Sequence, residues 1–321
     1  MPPHLVQVVA PSRLHFGLLS VGGPGRQFGG AGVMVEPPST IVEVSRALGF
    51  SFNGPQISRV QAIVEAWRGT HKGLELPDCH IAIKQLAPQH AGLGSGTQLG
   101  LSIVSALNSF TGQPANDPAS LTRAAGRGRR SAVGTYGFLH GGLIVERGRL
   151  PEDTLAAMQL QLPLPDSWRF VLARPRGEAG LSGTTESQAF RDLPRPPTSL
   201  RAALSSELQR NLIPSAKAGD LDRFGESLYR YGRLAGLYFV KTQGGPYNGI
   251  RIAELVDHLR HLGVKGVGQS SWGPTVFALT GSQDAAEWLV QQLGGHHPDS
   301  QLDLTICRVN NTGASVQVQP T

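Results

Sequence analysis

The stretch His90-Ala91-Gly92-Leu93-Gly94-Ser95-Gly96-Thr97-Gln98 decides how this chain is read. An alternating apolar run over residues 79–86 precedes it and predicts a strand. Residues 98–110 follow with the spacing of a buried helix. A strand, a glycine-rich turn and a helix N-terminus present backbone N–H groups to an anion, and the helix dipole adds partial positive charge there. Gly92, Gly94 and Gly96 let the backbone approach a phosphate with no Cβ in the way. Ser95 and Thr97 add hydroxyls. The plainer reading is a tight turn with Thr97 as the helix N-cap. A P-loop is excluded, because Thr97-Gln98 stand where Lys-Ser or Lys-Thr would follow the last glycine. No G-x-G-x-x-G occurs anywhere.

The 321 residues, 40% of them hydrophobic, suffice for one large domain or two ordinary ones. Lysine and arginine total 29 against 23 acidic residues, and arginine far outnumbers lysine. Genomic bias explains that excess; so does repeated recognition of phosphate or carboxylate, which the arginine fork fits. The arginines are dispersed and aromatics are only 6%, so no nucleic-acid partner is expected. Cys79 and Cys307 lie far apart in apolar runs and read as buried free thiols of a reducing compartment. His296-His297, followed by Pro298, read as a loop rather than a metal pair. With no leader-like N-terminus and no long apolar run, a cytoplasmic chain with no membrane partner is expected.

Along the chain, residues 5–10 read as a strand that Pro11-Ser12 breaks and residues 13–19 resume. Residues 21–32 are too glycine-rich for a regular element. A strand at 40–45 and a helix at 57–67 lead to the glycine turn. Residues 121–130 begin as a helix, and 143–146 form a strand. Prolines crowd residues 151–165, a candidate boundary between domains 1–163 and 164–321. Helical patterns cover 199–217, 220–237, 249–262 and 283–293. Short strands are expected at 168–174, 264–269, 275–280, 302–307 and 315–319. Strands cluster early and helices late, which favours α+β in two layers over a doubly wound sheet.

Three segments together resemble the GHMP superfamily of galactokinase, homoserine and mevalonate kinases. They are Ala10-Pro11-Ser12-Arg13-Leu14-His15-Phe16-Gly17, the turn 92–97, and Gly266-Val267-Gly268-Gln269-Ser270-Ser271-Trp272-Gly273-Pro274-Thr275. In detail they are similar to one branch, the β-ribofuranosylaminobenzene 5′-phosphate synthases. The resemblance implies an N-terminal mixed-sheet domain and a C-terminal α/β sandwich domain. It implies condensation of phosphoribosyl pyrophosphate with 4-aminobenzoate, or its 4-hydroxy analogue, with loss of CO₂ and pyrophosphate, an early step in tetrahydromethanopterin biosynthesis. It also implies a homodimer that uses Mg²⁺. Mevalonate-type kinases carry an aspartate before a glycine pair, but the matching stretch here, residues 129–142, holds no carboxylate.

Candidate site residues follow from the needs of such a reaction. The glycine turn, from Gly92 through Gln98, would hold the leaving pyrophosphate. Arg127, Arg129 and Arg130 read as phosphate or carboxylate clamps, or as a solvated helix end. Arg13 and His15 alternate with Leu14 and Phe16, so on a strand they share a face and are the catalytic candidates. Lys84 in an apolar strand needs a partner or a ligand, or snorkels to an edge. Glu186, closing the turn Gly180-Leu181-Ser182-Gly183-Thr184-Thr185-Glu186, is a candidate magnesium ligand or base, or a capping-box glutamate. Gln269, Ser270, Ser271 and Trp272 would floor an aromatic substrate, and a core tryptophan is the alternative. An ATP-dependent small-molecule kinase and a non-catalytic ligand-binding regulator are the competing functions.

Overall fold

The computed structural model describes residues 3–22, 25–114, 117–128, 130–177, 193, 197–295 and 302–320. Two long antiparallel strands, β1 (Leu5–Ser20) and β2 (Phe28–Arg46), form its spine. Then come β3 (Ser51–Asn53), α1 (Ile57–Thr70), β4 (Cys79–Gln85), α2 (Ser95–Thr111), α3 (Pro118–Ala124), α4 (Val133–His140), β5 (Leu143–Glu146), β6 (Met158–Leu162) and β7 (Arg169–Pro175). The second half holds α5 (Thr198–Glu207), a π turn at Leu208–Leu212, α6 (Ile213–Ala218), α7 (Leu221–Gly236) and α8 (Val240–Gln243). It closes with α9 (Ile250–His261), β8 (Gly266–Gln269), β9 (Val276–Thr280), α10 (Gln283–Gly295), β10 (Leu302–Val309) and β11 (Ser315–Gln319). No helix among the described residues is long and apolar enough to cross a membrane.

The strands join one mixed sheet in the order β11-β1-β2-β10-β7-β9-β8, with β4 and β5 also paired to β2. Strand β10 pairs with both β2 and β7, so the ladder crosses from the first half of the chain to the second. Helices α1 and α2 cover Val6, Val8, Val42, Val44 and Ile81 with Val60, Trp67, Leu99 and Ile103. Further along β1, Leu14 and Phe16 pack instead on Phe224, Leu228 and Tyr231 of α7. A third cluster joins Val171, Val267 and Val276 to Ile252 and Val256 of α9 and Leu289 of α10. Helices on a mixed sheet make the α+β class that the element pattern implies.

Three sequence expectations change. Pro11 and Ser12 do not end the first strand; β1 runs through them with a register shift between the two. A proline lacks the ladder N–H, and an irregularity is where a strand tolerates that loss. The glycine-rich segment is not loop throughout, because β2 begins at Phe28. A Cβ on Gly30 or Gly32 would collide with the carbonyl oxygens of Gly17 and Leu14, so glycine here allows the close approach of β2 to β1. Residues 133–140 form α4 and the proline-rich stretch contains β6, where neither was expected. Both are short, and buried α4 offers no polar face for periodicity to reveal.

Candidate active site

The three separated segments meet through their backbones. Arg13 donates its N–H to the carbonyl of Leu93 at 2.9 Å, and Ser271 donates to that of His15 at 3.2 Å. The buried Ser270 hydroxyl accepts from His15 N–H at 3.0 Å and donates to the Gly92 carbonyl at 2.8 Å. A Cβ at Gly92 would strike the Ser270 carbonyl, and one at Gly273 would strike Ala91 and Gly92. Glycine is therefore needed at both places for the segments to close on one another.

Helix α7 completes the site. Tyr231 and Tyr238 donate their hydroxyls to the carbonyls of Gly17 at 3.1 Å and Leu19 at 2.8 Å. That docking brings Gly232, Ala235 and Gly236 to the edge of β1, where they enclose a cavity of about 810 Å³. Part of the cavity wall is cationic. There the N-terminus of α2, capped by Gly94 at φ 71° with no side-chain cap, meets Arg13, Arg59, Arg127 and Arg130. The wall also carries aromatic rings, those of Phe16, Phe239, Tyr247 and Trp272. Trp272 packs edge-on against Phe239 at 4.7 Å between ring centroids.

Most of the sequence-predicted residues come together here. Arg13, His15, Gly92, Gly94, Ser95, Gly96, Thr97, Arg127, Arg130, Gln269, Ser271 and Trp272 all line the cavity. Thr97 is not the N-cap. Its own N–H bonds the Gly94 carbonyl at 2.9 Å, so the donors left to an anion belong to the earlier residues of the turn. Gln98 is fully buried and donates to the Gly134 carbonyl at 3.0 Å, away from the cavity wall. Ser270 acts behind the wall as the clasp between segments. Lys84 stands apart, half exposed and 3.5 Å from Glu43 across the β2–β4 pair. Arg129 and Glu186 lie outside the described residues.

Sequence reading missed Arg59 and Glu146. Arg59, on α1, packs its guanidinium over Gly96, where an added Cβ would lie 2.5 Å from Nη2. Burial lowers its pKa. Its only sequence signal was a basic residue in the first turn of an amphipathic helix. Glu146, on β5, is fully buried and takes the N–H of Ala132 on Oε2 at 2.7 Å. Burial pushes it up to about 7, against the pull of Ser131, Ala132 and Arg13. A carboxylate thus stands behind the carboxylate-free segment, supplied by the next strand. Ser131 lies 3.1 Å from His15 Nε2. Burial first, then Arg13, holds His15 well below the usual histidine range, so the ring is neutral.

Among the described residues no three His, Cys, Asp or Glu gather as a metal site, and no carboxylate lines the cavity. The wall does offer oxygen donors in Ser95, Thr97 and Gln89. That set suits a Mg²⁺ ion carried by substrate phosphates, which supply most of its ligands themselves.

Comparison with known proteins agrees with this geometry. Residues 59–142 match the GHMP kinases N terminal domain, and residues 212–299 match the GHMP kinases C terminal family. A beta-ribofuranosylphenol 5′-phosphate synthase of Archaeoglobus fulgidus is 30% identical over 87% of this chain and 88% of its own. The chain belongs to this synthase family within the GHMP superfamily. A second such synthase, of Methanothermobacter thermautotrophicus, is 28% identical over 84% of this chain and 87% of its own. The chain is accordingly an enzyme with the GHMP fold. Streptococcus pneumoniae phosphomevalonate kinase superposes with a TM-score of 0.70 at 13% identity, covering 95% of this chain and all of that one, a likeness of fold alone.

Proposed function

We propose that this enzyme condenses phosphoribosyl pyrophosphate with a benzoate bearing a para hydroxyl or amino group, releasing CO₂ and pyrophosphate. The observation that carries the reading is one cavity lined both by the glycine turn with its arginines and by aromatic rings. The names of the relatives favour the 4-hydroxy ring, since a ribofuranosylphenol is its product.

In this reading the pyrophosphate lies against the first turn of α2 and the guanidinium groups of Arg13 and Arg59. They stabilise the negative charge that develops as the C1–oxygen bond breaks. Mg²⁺ held by the pyrophosphate with Ser95 and Thr97 would add to that neutralisation when bound. The aryl acid packs against the contacting pair Phe239 and Trp272 with its carboxylate-bearing carbon toward C1. That carbon forms the new C–C bond, and loss of CO₂ returns its electron pair to the ring. A para hydroxyl or amino group feeds electron density to the attacking carbon. The buried thiols Cys79 and Cys307 accord with a cytoplasmic setting, and a homodimer belongs to the same family reading.

Thermal protection separates this reading from its rivals. Phosphoribosyl pyrophosphate should raise the melting temperature in a concentration-dependent way, and ATP should not. Protection by ATP alone, together with phosphorylation of an alcohol, would replace the transferase with a kinase.

A further inference from the structure

We propose that Gln269 is a positioning residue for the aryl acid: its side-chain amide clips the segment 239–249 to the turn that carries Trp272, and so holds the aromatic part of the cavity wall in place. The proposal takes the identity of the aryl acid from the transferase reading. Gln269 is the last residue of β8, 9% exposed, and both ends of its amide are committed. Oε1 accepts the N–H of Asn248 at 2.8 Å. Nε2 donates to the carbonyl of Ser271 at 3.1 Å. One neighbour is a donor and the other an acceptor, so the amide has a single orientation. Gln269 therefore acts through the segments it joins rather than by bonding substrate.

Each bond holds a different part of the wall. Ser271 sits at φ 56°, where a residue with a side chain is uncommon. The Ser271 N–H is held by the His15 carbonyl of β1, and the Ser271 carbonyl is held by Gln269. That carbonyl belongs to the peptide plane that contains the Trp272 nitrogen, so the bond from Nε2 sets the plane from which the indole departs. Trp272 is buried and lines the cavity.

The segment on the other side is rich in glycine. Gly244, Gly245 and Gly249 have open space where a Cβ would be, and Gly244 and Gly249 take φ of 79° and 84°. Glycines restrict the backbone little, so such a stretch depends on its attachments. It supplies Phe239, Gln243, Pro246 and Tyr247 to the cavity wall. Gln243 Nε2 reaches the Gly236 carbonyl at 3.3 Å, and the Pro246 carbonyl sits where a Cβ on Gly236 would be. Toward the Trp272 turn the attachments are the Phe239 ring against the indole and the Asn248 N–H on Gln269. Without the amide, Phe239 and Trp272 keep their ring contact alone, and the surface offered to an aromatic substrate loosens. The glycine turn is held separately, by Ser270 on Gly92 and Arg13 on Leu93, so the anion contacts stay in place.

The test pairs Gln269→Met, close in size but with no hydrogen-bonding end, with Gln269→Glu, which still accepts from Asn248 but sets a carboxylate against the Ser271 carbonyl. In proteins labelled with ¹⁵N-tryptophan, the Trp272 indole signal, assigned by its loss in Trp272→Phe, should shift or broaden in both variants. The signals of Trp67, Trp168 and Trp288 should stay. In turnover, KM for 4-hydroxybenzoate should rise by roughly tenfold, the worth of one hydrogen bond, with KM for phosphoribosyl pyrophosphate little changed. In the wild type the Asn248 amide should exchange slowly with deuterium, a measurement that stands even if neither variant folds. An unmoved Trp272 signal in the folded variants, or an Asn248 amide that exchanges as fast as in an unfolded peptide, would overturn the proposal. So would a KM for the aryl acid that stays unchanged or rises in step with that for phosphoribosyl pyrophosphate. Should the wild type show no transferase turnover, the spectra and the exchange rate still decide the role of Gln269, and only the transferase reading falls.

Discussion

Ser270 donates through Oγ to the carbonyl of Gly92 at 2.8 Å, across 178 residues of chain. The same oxygen takes the His15 N–H, so one buried hydroxyl ties three distant segments into a single cavity wall. Ser270→Ala leaves a buried donor and a buried acceptor unsatisfied. It should lower unfolding stability by roughly 1–3 kcal/mol. Urea denaturation measures the loss, and an unchanged midpoint would show that the clasp holds nothing.

Gly94 and Gly96 should fail for different reasons. Gly94 adopts φ +71°, where a side chain costs about 1–2 kcal/mol of backbone strain. Gly94→Val should therefore destabilise the fold. At Gly96 the added atom meets only the end of the Arg59 side chain, which can swing away. Gly96→Val should fold and melt nearly as the wild type does, yet bind pyrophosphate weakly. Wild-type turnover by folded Gly96→Val would reduce the glycine segment to a turn.

Arg59→Gln should weaken pyrophosphate binding and steepen none of the unfolding transitions, because the guanidinium packs over the turn rather than in the core. Losing one charged contact to an anion commonly costs about 1.5–3 kcal/mol. Arg59→Lys should recover part of the loss unless the contact is bidentate. Isothermal titration with pyrophosphate reads both values, and equal affinity in all three proteins would remove Arg59 from the site.

Much of this was legible in the sequence, and what escaped did so for physical reasons. The strand–turn–helix at residues 79–110 declared itself through alternation, glycine and helical spacing, and its turn lines the cavity. The first and third segments were found as motifs, but their contact through Ser270 is tertiary and has no local signal. Lys84 looked anomalous in an apolar strand, yet Glu43 on the paired strand answers it. Glu146 closes an apolar strand and reads as an ordinary strand end. Only the fold shows that it is sealed against Ala132 and Ser131. Arg59 reaches the turn from a helix whose buried stripe, Val60, Ile63, Val64 and Trp67, drew the reading to its apolar face.

Glu146 should also leave a signature in stability against pH. Its folded value is raised from 4.5 to about 7, so its proton favours the folded state. That contribution is complete below about pH 4.5 and is lost as the pH rises through 7, about 3 kcal/mol in all. His15, whose folded value is lowered, acts in the opposite sense: its contribution is present above the usual histidine value and is lost on acidification. The difference between wild type and Glu146→Gln isolates the carboxylate. Relative to the variant, the wild type should lose stability between pH 4.5 and 7.5 by chemical denaturation, and a difference independent of pH would place an ordinary carboxylate there.

The central claim is tested most directly by following CO₂ and pyrophosphate together. The purified protein with Mg²⁺ and carboxyl-labelled 4-hydroxybenzoate or 4-aminobenzoate should release labelled CO₂ only when phosphoribosyl pyrophosphate is present. Pyrophosphate should appear in equal amount, and benzoate, lacking the para donor, should react poorly. Pyrophosphate without CO₂ would mean an ordinary phosphoribosyl transfer, and the absence of both products would contradict the account.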